Sequence, residues 1–439
     1  MKKIVAMALG AVMIASLAAC GGSSSKPAST EAAQESAAAA ESTDGGASGE
    51  AVDMSNMKVG FIFLHDENST YDLNFINAAE AACKKLGMTE DQYMLKKNVP
   101  EGQECYDAAA DLADAGCNII FADSFGHEDF MIQAAKEFPD VQFCHATGTK
   151  AHTEGLDNYH NAFASIYEGR YLAGVAAGMK LNQMIEDGKI TEDGAKMGYV
   201  GAYTYAEVIS GYTSFYLGAK SVCPSVTMDV TFTGSWYDET AEKEAAHKLI
   251  TDDGCVLISQ HADSMGAPTE CEDQGVPDVS YNGSTVDACP NTFIISSRIN
   301  WEPYYEYAIK ACAAGEKIDA DWTGTLQTGS VEITEVNDKA AAPGTTEKLE
   351  EVKKALEDGS VHVFDTANFT VTKDDKTNVN ATVDGSGKLT GYMADVDTDA
   401  EYKGDTEAVS DGYFHESEYR SAPYFDLQID GIKLLDTKM

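Results

Sequence analysis

Residues 58–87 read KVGFIFLHDENSTYDLNFINAAEAACKKLG. Val59-Gly60-Phe61-Ile62-Phe63-Leu64 is a nearly continuous apolar run, the pattern of a strand covered on both faces. Phe75, Ala79, Ala82, Cys83 and Leu86 then recur at three- and four-residue spacing, which marks one buried face of a helix. The alternation continues, with strands at 118–122 and 141–145 flanking a helix around 128–138. Strands and helices in strict alternation build a parallel sheet with right-handed crossovers.

The pattern restarts beyond residue 165. A helix at about 167–184 leads into strands at 197–203, 227–234, 255–260 and 276–282, with helices at 207–222, 239–252 and 267–275 between them. A strand at 292–299, a helix at 302–314 and a strand near 325–333 then cross back. The fold class is therefore α/β, with two doubly wound parallel-sheet lobes joined by a three-strand hinge. Residues 57–164 plus about 283–314 are expected to form the N-terminal lobe, and 165–282 plus about 315–335 the C-terminal lobe. The crossings are expected near Ala164, Asn282 and Ala314. Residues 336–439 read as an extension packing on the lobes, made of an amphipathic helix at 347–358, hairpins at 361–396 with an Asp384-Gly385 turn, and an acidic loop. Ligands of open α/β sheets bind beyond the carboxyl ends of the strands, so two facing lobes place the site in the cleft between them.

The chain has 439 residues, with 31 Lys and Arg against 72 Asp and Glu and a net charge of −41. Such a body repels phosphate backbones and anionic lipid surfaces, which excludes a nucleic acid polymer as partner. Met1-Lys2-Lys3 precedes an uncharged apolar stretch at 4–19, too short for a spanning helix and read as a signal peptide, 1–19. Leu17-Ala18-Ala19-Cys20 resembles the lipobox of bacterial lipoproteins, in which the cysteine is lipidated and becomes the first mature residue. Residues 20–56 then form a flexible acidic tether of Ser, Ala, Gly and Glu, spanning roughly 30 Å. The expected location is the extracytoplasmic face of the cell membrane, held by the lipid on Cys20. The nine cysteines besides Cys20 contain no C-x-x-C pair and read as buried thiols, with Cys271 and Cys289 the pair to test for a disulfide.

Aromatic and small polar residues recur where the strands end. They include Tyr71 and Asp72 after the first strand, and Ser124 and Phe125 after the third. In the second lobe come Tyr203-Thr204-Tyr205 with Glu207, Trp236, His261-Ala262-Asp263 and Tyr281-Asn282-Gly283. Arg298-Ile299-Asn300-Trp301 ends the crossing strand. Aromatic faces stack on flat heterocycles, and carboxylates and amides read ring N–H groups or a diol. Arg298 is the only cation in this set, so the composition suits a planar, uncharged ligand such as a purine. The nucleophile-elbow and zinc-protease motifs are absent, and no catalysis, cofactor or metal is expected. His127-Glu128-Asp129 and His152 with His160 offer metal-binding side chains, but scattered histidines are more often structural.

SFGHEDFMIQAAKEFPDVQFCHATG (124–148), YEGRYLAGVAAG (167–178), GYVGAYTYAEVISGYTSFYLGAKSV (198–222), SWYDETAEKEAA (235–246), QHADS (260–264) and INWEPYY (299–305) occur in order. Together they resemble the basic membrane protein family of ABC-transporter substrate-binding lipoproteins, which includes purine nucleoside receptors. The resemblance runs from about 58 to 365. It implies a type I periplasmic-binding fold, capture of a purine nucleoside or base in the interlobe cleft, and ABC permease subunits as partners. It implicates Tyr71 and Tyr205 as stacking groups, with Ser124, Trp236, Asp263 and Trp301 near the cleft. The ligand-binding set is thus Tyr71, Asp72, Ser124, Phe125, Tyr203, Tyr205, Trp236, Asp263, Asn282 and Trp301. Relatives carry an aspartate where Tyr281-Asn282-Gly283 stands, so a free base or another heterocycle remains an alternative ligand. A ligand-sensing lipoprotein acting on a signalling partner remains an alternative role.

Overall fold

The computed structural model describes residues 52–396 and 406–438. The signal peptide, Cys20 and nearly all of the tether expected at 20–56 lie outside the described residues. Residues 51–439 form one compact unit.

The first sheet collects β1 (Val59–Ile62), β2 (Tyr93–Lys96), β3 (Ile119–Ala122), β4 (Gln142–Ala146) and β5 (Tyr159–Ala164). They are linked by α1 (Thr70–Lys85), α2 (Gln103–Asp114), α3 (Glu128–Glu137) and the short α4 (Ala151–Glu154). β1 is buried at every position and pairs in parallel with both β2 and β3, as a strand covered on two faces must. Gly60 is required there, because a Cβ would stand 2.8 Å from Leu112 Cδ1.

The chain crosses at Ser165 into α5 (Ile166–Glu186) and continues through β6 (Lys196–Gly201), α6 (Ala206–Val222), β7 (Thr227–Phe232) and α7 (Glu239–Thr251). β8 (Leu257–Gln260), α8 (Gly266–Gln274), β9 (Asp278–Tyr281) and β10 (Phe293–Ile299) complete this run. α5 and α6 pack backbone against backbone. A Cβ on Gly218 would lie 2.0 Å from the Tyr171 carbonyl oxygen, and one on Gly174 2.0 Å from that of Phe215. α9 (Glu302–Ala314) and β11 (Asp321–Gly324) follow, then β12 (Val331–Ile333) and α10 (Thr345–Glu357).

The sheet orders correct the expected lobe boundaries. β10 pairs in parallel with β9 and lies in the second sheet, not in the N-terminal lobe where residues 283–314 were expected. β11 pairs with β5 and belongs to the first sheet, not to the C-terminal lobe. The crossings therefore fall at 164–166, 299–302 and 324–331, rather than near Asn282 and Ala314. β12 is antiparallel to β10, an exception in otherwise parallel sheets. The crossings are tied together, since Ser165 N–H donates to the Gly324 carbonyl and Asn300 N–H to that of Ser330, each at 2.8 Å. Trp301, expected in the site, is instead 1 % exposed and stacks on Phe75 at 4.4 Å, in the apolar core beside the second crossing.

The residues after α10 do more than cover the lobes. Ile432–Leu434 adds to β7 as a parallel edge strand of the second sheet. Ser421 N–H donates to Asp321 Oδ2 of β11 at 2.8 Å, while Phe232 N–H donates to Asp436 Oδ1 at 2.8 Å. The extension is thus fastened to both sheets. Cys271 and Cys289 are both free and buried.

Candidate functional site

The carboxyl ends of β1, β3 and β4 face those of β8 and β9, and their loops close around a cavity of only about 20 Å³. That is room for about one water, so a heterocycle enters when the lobes part. The first lobe contributes Leu64, Tyr71, Asp72, Ser124, Phe125 and Thr147. The second contributes Glu207, Trp236, His261, Asp263 and Tyr281. Among the described lining residues there is no Lys or Arg.

The α1 N-terminus fixes two of these groups. Ser69 caps it by accepting from Asp72 N–H at 3.1 Å. Asp72 then turns its carboxylate back to accept from His65 N–H at 2.8 Å, with His65 Nδ1 at 3.2 Å. The Tyr71 hydroxyl donates to the Asp123 carbonyl at 2.7 Å, which holds its ring against the cavity, 4.8 Å from Phe75. Ser124 Oγ donates to Glu101 Oε1 at 2.5 Å. Thr147, at φ +69°, turns the end of β4 towards the cleft.

Backbone contacts join the lobes across this floor. The Asp263 carbonyl accepts from both Thr70 N–H and Thr70 Oγ1 at 3.2 Å. Asn282, at φ +65° and buried, lies behind the cavity lining. Its Nδ2 is 3.5 Å from Asp263 Oδ1 and its Oδ1 3.4 Å from Asn74 Nδ2, so it positions Asp263 rather than lining the cavity.

The carboxyls are electrostatically distinct. Burial pushes Asp263 well above the usual carboxylate range, reinforced by Asp72, Glu242 and Glu207 nearby. Asp123 is raised likewise, by burial and by the Asp72 charge. Burial also opposes ionisation of Asp72, but hydrogen bonds from His65 and Ser69 outweigh it and hold this group below its ordinary value. Burial lowers His261, keeping the ring neutral. Its Nε2 sits 3.4 Å from Glu207 Oε1 and its ring 4.5 Å from Tyr281. The cavity thus sets Asp72, held towards its ionised form, beside Asp263, pushed towards its protonated form.

Tyr203 and Tyr205 stand at the mouth rather than in the cavity. They stack at 5.2 Å, Tyr203 meets Trp236 edge-on at 5.2 Å, and Tyr205 faces Phe125 of the other lobe at 5.4 Å. Arg420, Tyr424 and Asp426 of the C-terminal extension line the space beside Phe125, Thr147, Tyr205 and Glu207. Six of the ten residues selected from the sequence therefore line the cavity: Tyr71, Asp72, Ser124, Phe125, Trp236 and Asp263. Leu64, Thr147, Glu207, His261 and Tyr281 were not selected. Glu207, His261 and Tyr281 stand in the same strand-end segments, where their position was the available signal.

Residues 62–362 match the Bmp family, described as ABC transporter substrate-binding protein PnrA-like. A purine-binding protein of Brucella abortus is 33 % identical over 72 % of this chain and 85 % of its own length. A putative ABC transporter glucose-binding protein of Haloferax volcanii is 30 % identical, over 66 % of this chain and 68 % of its own. Among solved structures, a solute-binding protein of Aeropyrum pernix superposes with a TM-score of 0.58 at 17 % identity, covering 73 % of this chain and 94 % of that one. One from Conexibacter woesei gives 0.57 at 19 %, covering 70 % and 98 %. These two show the fold, that of the periplasmic-binding proteins. The relatives are solute-binding proteins rather than enzymes, and the chain belongs to the Bmp family of PnrA-like ABC transporter substrate-binding proteins.

Proposed function

We propose that this chain captures a purine nucleoside or purine base in the interlobe cleft and delivers it to the permease of an ABC importer. The observation that carries this reading is the cavity lining, which sets aromatic rings beside two carboxyls and has no Lys or Arg among its described residues. Tyr71, Phe125 and Trp236 supply faces for a heterocycle. Asp72 and Asp263 supply carboxyl oxygens for ring or exocyclic nitrogens or for a hydroxyl. Asn282 holds Asp263 in place, and Tyr203 with Tyr205 guards the mouth. The purine-binding relative supports this ligand class. Mass spectrometry of small molecules released from the purified protein tests it. A purine nucleoside or base is the expected finding, and a bound sugar would overturn the assignment.

The protein works, on this reading, at the outer face of the cell membrane, anchored through a lipid on Cys20 and reaching its permease on the tether. Cys20→Ala is expected to move it from the membrane fraction to the soluble fraction. A variant that stays membrane-bound refutes the anchor.

A further inference from the structure

The residues after α10 join the two lobes a second time, outside the hinge crossings. Their hold on the second lobe is extensive. Ile432–Leu434 pairs with β7, and on either side of it Met228 N–H donates to the Gly431 carbonyl at 3.1 Å and Leu435 N–H to that of Val230 at 2.8 Å. Phe232 N–H donates to Asp436 Oδ1 at 2.8 Å, and Thr204 N–H to the Lys438 carbonyl at 2.7 Å. The hold on the first lobe is slight. Among the described residues, two hydrogen bonds reach its sheet, from Ser421 N–H to Asp321 Oδ2 at 2.8 Å and from Thr323 Oγ1 to the Ser417 carbonyl at 3.3 Å. Asp321 and Thr323 both belong to β11, the edge strand that leads into the third crossing.

The first-lobe contact is also poorly satisfied. Asp321 Oδ1, Ser417 Oγ and Ser421 Oγ are buried with no hydrogen-bond partner among the described residues, whereas buried polar atoms are normally paired. Ser417 is held at φ +60°, a conformation that a serine adopts at a cost. Separation from β11 returns the three atoms to water. The loop cannot stretch to follow the first lobe, because Glu416 accepts from the Tyr424 and Phe425 amides at 2.8 Å. Phe425 is fully buried and stacks on Phe364 at 4.2 Å, in the extension's own core.

The ligand cavity has room for about one water, so the lobes part before a ligand enters. We propose that residues 417–421 are a latch: the extension rides on the second lobe, its loop docks on β11 and favours the closed arrangement, and the loop leaves β11 when the lobes part. The proposal rests on entry by lobe opening and not on which ligand enters.

Hydrogen exchange of the ligand-free protein tests it without any ligand. The Thr70 amide donates across the lobes to the Asp263 carbonyl, so its exchange reports lobe opening, and the Ser421 amide reports the latch. In the wild type both are expected to exchange faster than the Leu435 amide, which ties the extension to the second lobe. Asp321→Ala combined with Thr323→Val removes both first-lobe hydrogen bonds. The Thr70 amide is expected to exchange about fivefold or more faster in that variant, with the Phe61 amide of β1 unchanged. Thr323→Val alone is the milder change, since this side chain makes no other hydrogen bond among the described residues. It is expected to speed Thr70 about twofold or more, and it decides the matter if the double variant also speeds Phe61. Unchanged exchange at Thr70 in the variants overturns the proposal. So does a wild-type Leu435 amide that exchanges as fast as Ser421, which would mean that the extension leaves the second lobe instead.

Discussion

Replacing Tyr71 separates what its ring does from what its hydroxyl does. The hydroxyl donates to the Asp123 carbonyl at 2.7 Å, and that bond runs between two structural elements of the first lobe without facing the ligand space. Tyr71→Phe should therefore cost about 1 kcal/mol of folding stability and leave ligand affinity unchanged. Tyr71→Ala removes the whole ring from the cavity wall and from Phe75, 4.8 Å away. Its stability cost is about 2–4 kcal/mol, at the lower end of large-to-small changes, because Tyr71 is only partly buried. Loss of a ring that stacks on a base weakens binding by about 1–3 kcal/mol, or roughly 5- to 150-fold in Kd. Urea melts give the stabilities and calorimetry the affinities of three proteins: wild type, Tyr71→Phe and Tyr71→Ala. If the alanine variant binds as tightly as wild type, Tyr71 is a wall and not a stacking partner. If the phenylalanine variant loses as much affinity as the alanine variant, the hydroxyl rather than the ring is what the ligand needs.

Gly218→Ala should lower stability by about 1–3 kcal/mol or more in a thermal melt, because the new methyl would meet the Tyr171 carbonyl and push α5 from α6; an unchanged melting temperature would show that the helices slide freely. Burial raises Asp278 to about 7, against weaker lowering by Ser280 and Arg170. The folded chain then holds a proton that the unfolded chain releases near pH 4, so this group's contribution is complete below pH 4 and is lost as pH rises towards 7. Asp278→Asn should flatten the stability profile across that window by up to about 1.4 kcal/mol per pH unit, and an unaltered profile refutes the assignment. A 5′-phosphate on the nucleoside should weaken binding about tenfold or more, since Asp72 and Glu207 line a cavity that lacks Lys and Arg. Equal affinity for nucleoside and monophosphate would contradict the electrostatic reading of the cleft.

The fold was legible where burial is two-sided. Val59–Ile62 is buried throughout, and that produces an apolar run no surface segment needs. Periodicity could not say which sheet a strand enters, because a parallel strand reads alike in either. Phe293–Ile299 was therefore placed in the wrong lobe. Asp321–Gly324 was missed as a strand because it is an edge with three half-buried positions and no apolar run. Ile432–Leu434 is three residues on the opposite sheet's edge and equally silent. At the site, the strand-end rule located the loops but not which side chain in each turns inward. Trp301 was selected for its position, yet the second crossing buries it against Phe75. His261 was left out of the selected set although it stands in a strand-end segment, and its ring reaches Glu207 in the cavity lining. The contribution of Arg420 and Tyr424 to the cleft mouth depends on a contact more than 200 positions away in sequence from Tyr205, which local patterning does not carry.

The most direct measurement is calorimetric titration of the ligand-stripped full chain with adenosine, guanosine, inosine, their free bases and glucose. A purine nucleoside or base binding one to one at micromolar affinity or tighter, with glucose silent, is the expected result. Glucose binding with every purine silent would contradict the reading of the cleft as a heterocycle site.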